Sequence, residues 1–121
     1  MSIKQADVER ALESHRFERT NQTDRAVEYR SRSNRQYLYF RTNIGLADYF
    51  RLVIHPSLDV TKLLAIRGVL ESPRSNLQHG DHMREFPKRL NKGKKAVHFG
   101  KPLNIDAVST IPAFAAIFHT L

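Results

Sequence analysis

The amino-acid sequence predicts an α+β fold in two layers, with an antiparallel sheet covered by helices. Two runs, residues 37–42 and 50–55, alternate between apolar and polar side chains as half-buried strands do. The links between successive strand-like runs are too short for a parallel crossover, which favours an antiparallel meander. A stretch with helical spacing precedes the runs, and an apolar stretch ends the chain. We therefore expect a single domain over residues 1–121, with a meander of three or four strands, one later strand and helices.

The two central runs present two different faces, because successive side chains of a strand point to opposite sides. The first face is apolar and consists of Leu38, Phe40, Phe50, Leu52 and Ile54. The second face is mixed and consists of Tyr37, Tyr39, Arg41, Arg51, Val53 and His55. The first face should hold the helices. The second face is a candidate protein-binding surface, since Tyr and Arg are enriched at interfaces. The alternative is that a loop or the terminal helix covers it.

The segment before these runs is predicted to begin with a helix at residues 3–14. Val8 and Leu12 are spaced to share its apolar side, which would rest on the sheet. Ser2 and Gln5 have the capping-box spacing, in which each side chain satisfies a backbone amide of the first turn. We therefore expect the helix to start directly after Ser2.

Two more strands are predicted between this helix and the central runs. Residues 17–21 are a weaker candidate than residues 25–30, in which Val27 should turn inward and Glu28 outward to solvent. The polar stretch 31–35 has the composition of a hairpin loop.

The spacing of apolar residues changes after Pro56, which lacks a backbone donor and so ends the strand. A helix is predicted over residues 57–67, capped by Ser57 and ended by Gly68. Residues 69–70 should add a short strand.

The stretch between residues 72 and 102 is predicted to be mostly irregular. It comprises a loop at 72–80, one or two helical turns at 81–90, a turn at 91–94 and a strand at 95–99 that ends at 100–102. Pro87 should interrupt the helical turns, because proline inside a helix breaks it. An apolar helix then ends the chain. It either starts at Asp106 and kinks at Pro112 or starts at Thr110 with Pro112 in its first turn.

The composition limits the classes of function. The 121 residues include no cysteine, which excludes thiol catalysis and cysteine-ligated zinc and suits a reducing compartment. The N-terminus lacks the features of a signal peptide, and the longest apolar stretch, residues 111–118, is shorter than the roughly twenty residues of a membrane helix. We expect a cytoplasmic protein without membrane association.

The net charge of +8 is concentrated in one segment, residues 84–101. This segment has a single acidic side chain, Glu85, and seven basic ones: Arg84, Lys88, Arg89, Lys92, Lys94, Lys95 and Lys101. Such a cluster can meet phosphates and release their counterions, and Arg30, Arg32 and Arg35 could extend it. Lysine predominates, which favours charge attraction over base-specific reading. The segment is a candidate site for a nucleic acid or an acidic protein, and the alternative is plain solvated surface.

Histidines give the main candidate for metal chemistry. His79, Asp81 and His82 lie within four residues, and His55 and His98 end strands that could approach them. No regular helix fixes their spacing, however, and no HExxH motif occurs. Capping by Asp81 and hydrogen bonding by the imidazoles explain the same residues, so we expect no metal and no cofactor.

Catalytic motifs are scarce. His55 could act as a general base, but a hydrogen bond that holds the end of the strand explains it equally. The sequence has no Gly-x-Ser-x-Gly elbow, no phosphate loop and no paired carboxylates at fixed spacing. We expect no enzymatic activity and no catalytic residues.

Three local patterns resemble a known family: Leu52-Val53-Ile54-His55-Pro56, Asp81-His82 followed by Phe86-Pro87, and His98-Phe99-Gly100 followed by Pro102. Together with residues 8–12 and 37–40, they resemble the YgaC-like family of small, uncharacterised bacterial cytoplasmic proteins. The resemblance implies a secretion-chaperone-like fold in two layers, related to the N-terminal domain of the competence regulator TfoX. It implies no catalytic residues.

These observations favour a small, non-enzymatic binding or adaptor protein that holds another macromolecule with its second sheet face or its basic segment. A protein is the preferred partner, and a second copy of the chain in a homodimer would be one. The alternative is a nucleic-acid-binding protein that uses residues 84–101 without sequence preference. The candidate binding residues are Tyr37, Tyr39, Arg41, Arg51, His55 and the seven basic side chains of residues 84–101.

Overall fold

A computed structural model describes residues 3–42, 48–72, 77–80, 82–91 and 95–121 of the protein. Its α-helices are α1 (Gln5–Ser14), α2 (Thr61–Leu64) and α3 (Ile111–Phe118), the last preceded by a 3-10 helix at Val108–Thr110. Its strands are β1 (Phe17–Gln22), β2 (Ala26–Ser31), β3 (Tyr37–Arg41), β4 (Phe50–Ile54), β5 (Val69–Glu71), β6 (Gln78–His79), β7 (Lys88–Asn91) and β8 (Lys95–Ile105). The predicted Ser2 cap, residues 43–47 of the link between the two central runs, Asp81, Lys92 and Lys94 lie outside the described residues.

The strands form an antiparallel sheet in the order β1-β2-β3-β4-β8-β5, and β6 and β7 join it by pairing with β8. The first four strands make a meander in which Leu38 lies opposite Tyr29 on one side and Ile54 on the other. The long strand β8 then pairs with β4, with Lys101 opposite Ile54. The predicted α+β class and antiparallel sheet are therefore confirmed.

The main core lies on the first face of the sheet. The five side chains that alternation assigns to this face are fully buried: Leu38, Phe40, Phe50, Leu52 and Ile54. They share one cluster with Val8 and Leu12 of α1 and with Phe114 and Phe118 of α3. Full burial of a large apolar side chain contributes about 1.5–3 kcal/mol, so this cluster is the main source of stability.

The second face of the sheet is covered by residues 82–87, which we name the strap. Met83 and Phe86 of the strap form a second buried cluster with side chains of β2, β3 and β4. The Phe86 ring meets the Tyr39 ring edge-on, with centroids 5.0 Å apart. Gly100 lies under the strap, where a Cβ would come within 2.8 Å of the Phe86 ring. A larger residue at this position would collide with the Ile54 carbonyl oxygen and the Val53 side chain as well as with the strap.

The expectation that the second face is an open binding surface is wrong for its central residues. Tyr39 is only 1% exposed and Arg41 only 7% exposed. Tyr37 is half-buried against the second cluster. The alternative that a loop covers this face is confirmed, because the apolar side chains of the strap find their apolar partners there.

The strap carries the chain from one edge of β8 to the other. The Gly80 amide, after β6, donates to the His98 carbonyl at 3.0 Å, and the Phe99 amide donates to the Pro87 carbonyl at 3.0 Å. The backbone groups of successive residues in a strand point to opposite edges, so β6 and β7 lie on opposite sides of β8. Beyond the strap, β7 and residues 95–98 of β8 form a hairpin that we name the arm.

The helix predicted over residues 57–67 is wrong in extent, because the α-helix is limited to Thr61–Leu64. The Ser57 hydroxyl hydrogen-bonds to His55 Nδ1 at 2.7 Å and does not cap the helix. Asp59 Oδ1 instead accepts the first amide of α2 at 2.9 Å. Two polar contacts that the sequence did not reveal thus delay the helix and shorten it.

The prediction for residues 81–102 is also corrected. Residues 88–91 are the strand β7 and not helical turns, because Pro87 keeps the chain extended and β7 pairs with β8. Strand β8 does not end at residues 100–102 but runs on to Ile105. The nitrogen of Pro102 points to the edge of β8 that faces away from β4. At that edge, Pro102 lies between residues 99–100, which pair with β6, and residues 103–105, which pair with β5. No ladder hydrogen bond is lost there, so the strand accommodates the proline.

The predicted start is wrong for the first helix and confirmed for the last helix. Helix α1 begins at Gln5 after Lys4, so the predicted start directly after Ser2 is wrong, and the predicted capping box depends on Ser2, which lies outside the described residues. Helix α3 has Pro112 in its first turn, which confirms the second of the two predicted alternatives. No helix among the described residues is long and apolar enough to span a membrane.

Candidate functional site

A buried carboxylate, Glu28 on β2, fastens the strap to the sheet. Glu28 is 1% exposed and accepts two hydrogen bonds of 3.1 Å from the Arg84 guanidinium. It also accepts the Tyr39 hydroxyl at 2.7 Å and the Thr20 hydroxyl at 2.7 Å. The Tyr39 hydroxyl in turn accepts the Glu85 amide at 3.1 Å. Side chains from three strands thus hold both the guanidinium and the backbone of the strap.

The protonation states of this cluster are fixed. Burial acts to raise the pKa of Glu28, but hydrogen bonds from Arg84, Tyr39 and Thr20 outweigh burial and hold that pKa below its ordinary value. Burial and the nearby Glu28 carboxylate raise the pKa of Tyr39. Glu28 is therefore a carboxylate and Tyr39 a neutral phenol at neutral pH. This arrangement is suited to holding the strap and not to exchanging protons.

Of the two arginines predicted on the second face, Arg41 is buried and Arg51 is half-buried. Arg51 donates to Asn104 and to Gln78 at 3.1 Å each, and to Ser72 at 3.4 Å. It therefore links β4 to β8, to β6 and to the end of β5. Burial lowers the pKa of Arg41, and the neighbouring positive charge of Arg51 adds to that effect. This geometry gives no support to a binding role for either side chain.

Of the predicted histidines, His82 belongs to the strap, and His55 and His98 contact it. His98 Nδ1 lies 2.6 Å from the Phe86 carbonyl oxygen, and the His55 ring packs edge-on against the Phe86 ring at 5.5 Å. The His82 ring lies 6.1 Å from the Tyr39 ring, also edge-on. Burial lowers the pKa of His55. Across the described ranges, no three metal-ligating side chains lie close enough to share an ion.

The arm carries three of the predicted basic residues, and all three are exposed: Lys88, Arg89 and Lys95. Alternation places Lys88 on one side of the hairpin and Arg89 and Lys95 on the other. Leu90 on the arm is 67% exposed. Within the part of the chain that the structure describes, no carboxylate pairs with any of the three cations, whereas Arg19, Arg30 and Arg84 are paired elsewhere.

Arg89 is held in a defined position at the base of the arm. Its guanidinium lies 5.2 Å from the centre of the Phe99 ring, and its Nε donates to His79 Nε2 at 3.0 Å. The His79 ring stacks on Phe99 with centroids 6.1 Å apart. Burial lowers the pKa of His79, and the charge of Arg89 lowers it further. His79 is therefore neutral at neutral pH and can accept the hydrogen bond.

The basic segment is thus divided between two roles. Arg84 of the strap is paired with the buried Glu28, and Lys101 Nζ donates to the Leu58 carbonyl at 2.9 Å. These two cations hold the structure together. Among the described residues of the segment, the exposed cations of the arm are the ones that can meet a partner, whereas Lys92 and Lys94 lie outside the described residues.

Sequence reasoning missed Glu28 and the strap. Alternation along β2 assigned Glu28 to solvent, and nothing near it indicates that Arg84, 56 residues later, covers it. The available signal was the pair Met83 and Phe86, two large apolar residues in a polar stretch. Their spacing indicates a short apolar contact even where no helix forms.

Together, the fold and the arm define a small α+β protein with an exposed basic hairpin. The chain belongs to the family described as protein of unknown function, DUF2002, whose model matches residues 1–115. No curated protein matches the chain.

Proposed function

We propose that this is a non-enzymatic binding protein that holds nucleic acid on its arm without sequence preference. The observation that carries the proposal is the exposure of Lys88, Arg89 and Lys95 on one hairpin with no carboxylate paired to them in the described residues. Such cations attract phosphates, and the release of condensed counterions then favours binding.

The dimensions of the arm support a double-stranded ligand. Two strands lie about 4.8 Å apart, and the four paired positions of the arm extend over about 13 Å. The major groove of B-DNA is about 12 Å wide and about 8.5 Å deep, which admits a two-stranded ribbon. Cations on both sides of the hairpin would then face the phosphates of both groove walls.

The structure weakens the case for a protein partner. That expectation rested mainly on the second sheet face, which the strap covers over Tyr39 and Val53. An acidic protein surface, or an acidic patch on a second copy of the chain, would meet the same three cations of the arm. These partners are therefore the competing outcomes of the test.

We also propose a cytoplasmic location for this protein. We propose in addition the secretion-chaperone-like layering that the YgaC-like resemblance implies. Finally, we propose that the matched family and the YgaC-like proteins are the same group. The layering is supported by the main cluster, in which side chains of α1 and α3 pack with those of the sheet. A cytoplasmic protein would have access to nucleic acid.

The test is the binding of the full chain to a fluorescent random-sequence DNA duplex, measured by anisotropy at increasing salt. We expect the triple variant K88E/R89E/K95E to weaken binding. We also expect it to reduce the slope of log K against log salt by about 2.7, because each lost phosphate contact contributes about 0.9.

A matched control reverses the same charges on other exposed residues, in the variant K4E/K62E/R67E. It should keep most of the wild-type slope, since none of the three residues belongs to β7 or β8, the strands that form the arm. Equal losses in the two variants, or no binding of wild type at low salt, would contradict the proposal. Stronger binding to polyglutamate than to DNA would indicate an acidic protein partner instead.

A further inference from the structure

An open pocket of about 230 Å³ lies at the turn between β2 and β3, and we name it the arginine pocket. Its lining is almost entirely polar and consists of Glu18, Arg30, Ser31, Arg32 and Arg35. Glu18 and Arg30 lie opposite each other on β1 and β2. The other two arginines belong to the turn itself.

The pocket has an excess of positive charge. The Glu18 carboxylate accepts a hydrogen bond from Arg30 and lies 3.9 Å from the Arg32 guanidinium. The hydrogen bond from Arg30 holds the pKa of Glu18 below its ordinary value, so the carboxylate is ionised. Arg35 forms no ion pair with any described residue. Three cations against one anion leave a net charge of about +2, which a phosphate would complement.

The turn that carries these arginines is held by side-chain hydrogen bonds. The buried Ser31 hydroxyl accepts the amides of Ser33 and Asn34 at 3.1 and 3.2 Å. The Asn34 side chain donates to the carbonyls of Phe118 and Leu121 at 2.8 Å each, which ties the turn to the end of α3. Little ordering of the backbone is therefore needed when an anion binds, and preorganisation of this kind favours affinity.

The arginine pocket and the arm lie at the same end of the sheet. Leu38, just after the turn, pairs with Ile54, and Ile54 pairs with Lys101 at the root of the arm. Strands β2 and β8 are three strand spacings apart, and at about 4.8 Å each these spacings amount to about 14 Å. A duplex carries one charge for about every 1.7 Å of its axis, so it presents several phosphates over that distance.

We propose that the arginine pocket is a phosphate-binding site, which receives the backbone of the nucleic acid that the arm holds. This inference rests on the proposed function of the arm. The internal carboxylate Glu18 keeps Arg30 and Arg32 oriented in the absence of ligand, and a phosphate adds to the cluster beside Arg35.

The first experiment uses inorganic phosphate as the probe and is independent of DNA. In ¹⁵N NMR spectra of the full chain, the Nε–H signals of Arg32 and Arg35 should shift saturably with phosphate. The Nε–H signal of Arg30, which lines the same pocket, should shift as well; that shift should be lost in R32Q/R35Q and kept in K88E/R89E/K95E. Glu18→Gln should strengthen phosphate binding, because it removes the anion that competes for Arg30 and Arg32. Unsaturable shifts, or equal shifts of exposed arginines such as Arg67, would overturn the inference.

The second experiment repeats the duplex titration with R32Q/R35Q, and with R25Q/R67Q as the control for two exposed arginines elsewhere. The salt slope should fall by about 1.8 in the pocket variant, for two lost contacts, and stay unchanged in the control. If phosphate binds but the slope does not change, the pocket does not serve nucleic acid. If wild type binds no DNA at all, the proposed function of the arm fails, while the phosphate titration still decides whether the pocket binds anions.

Discussion

The guanidinium of Arg84 donates two hydrogen bonds of 3.1 Å to the carboxylate of Glu28, across 56 residues of the chain. The contact joins the strap to β2 at the centre of the second sheet face. The strap continues directly into β7 through Pro87, so the same contact anchors the arm that we propose as the binding element.

Replacement of Glu28 by Gln should lower the free energy of unfolding by about 2–3 kcal/mol, because hydrogen bonds to a charged group contribute about 1.5–3 kcal/mol. The loss should stay below the roughly 3–5 kcal/mol of a fully buried pair. The reason is that the Arg84 side chain is 55% exposed and can be hydrated once its partner is gone. Urea denaturation measures the difference. The control Glu71→Gln changes an exposed carboxylate and should act by less than about 0.5 kcal/mol.

The stability that Glu28 provides should depend on pH in a defined direction. Its pKa in the folded protein lies below the ordinary value of 4.5, so the contribution is complete above that value and is lost as the pH falls through the lower, folded pKa. The difference in unfolding free energy between wild type and Glu28→Gln should therefore be constant at neutral pH and shrink in acid. A difference that grows on acidification would contradict the assigned charge state.

Phe86→Ala should destabilise the protein by about 3 kcal/mol, since removal of a buried ring forfeits its burial and leaves a cavity. Leu90→Ala, on the exposed arm, should act by less than about 0.5 kcal/mol. A comparison of the melting temperatures of the two variants shows how much the packing of the strap contributes to stability relative to the arm. Similar effects of the two substitutions would mean that the strap is not packed on the sheet.

His79 should titrate below its ordinary pKa of 6.5 in ¹H NMR, because burial and the charge of Arg89 both disfavour the imidazolium. Arg89→Gln should raise the pKa of His79 part of the way back, since burial persists when the charge is removed. The arrangement would be contradicted if this substitution lowered the pKa or left it unchanged.

The parts of the fold that depend on local pattern could be predicted from the sequence. Leu38, Phe40, Leu52 and Ile54 alternate with polar residues, and each is buried on the expected face. The terminal helix could also be placed, because Pro112 is tolerated only in a first turn.

The parts that depend on distant contacts could not be predicted. Ser57 does not cap the helix, because its hydroxyl hydrogen-bonds to His55. Strand β8 continues through Pro102 because neither β5 nor β6 pairs with that position. The burial of Glu28 required a partner from the far half of the chain. For the candidate site, the sequence identified the basic segment but not that Arg84 is paired with buried Glu28 while Lys88 is exposed on the arm.

The two strands of the arm enter the body of the protein by different roots. β8 continues directly into the ladder with β4, so a pull along it loads five paired positions together, in shear. A pull along β7 instead reaches the strap, where the contacts of Phe86 and Arg84 bear the force one after the other. The attachment of the arm through β8 is therefore the stronger one, and the attachment through β7 yields first. Tension on a bound partner would detach the strap from the sheet before it disturbed the main core.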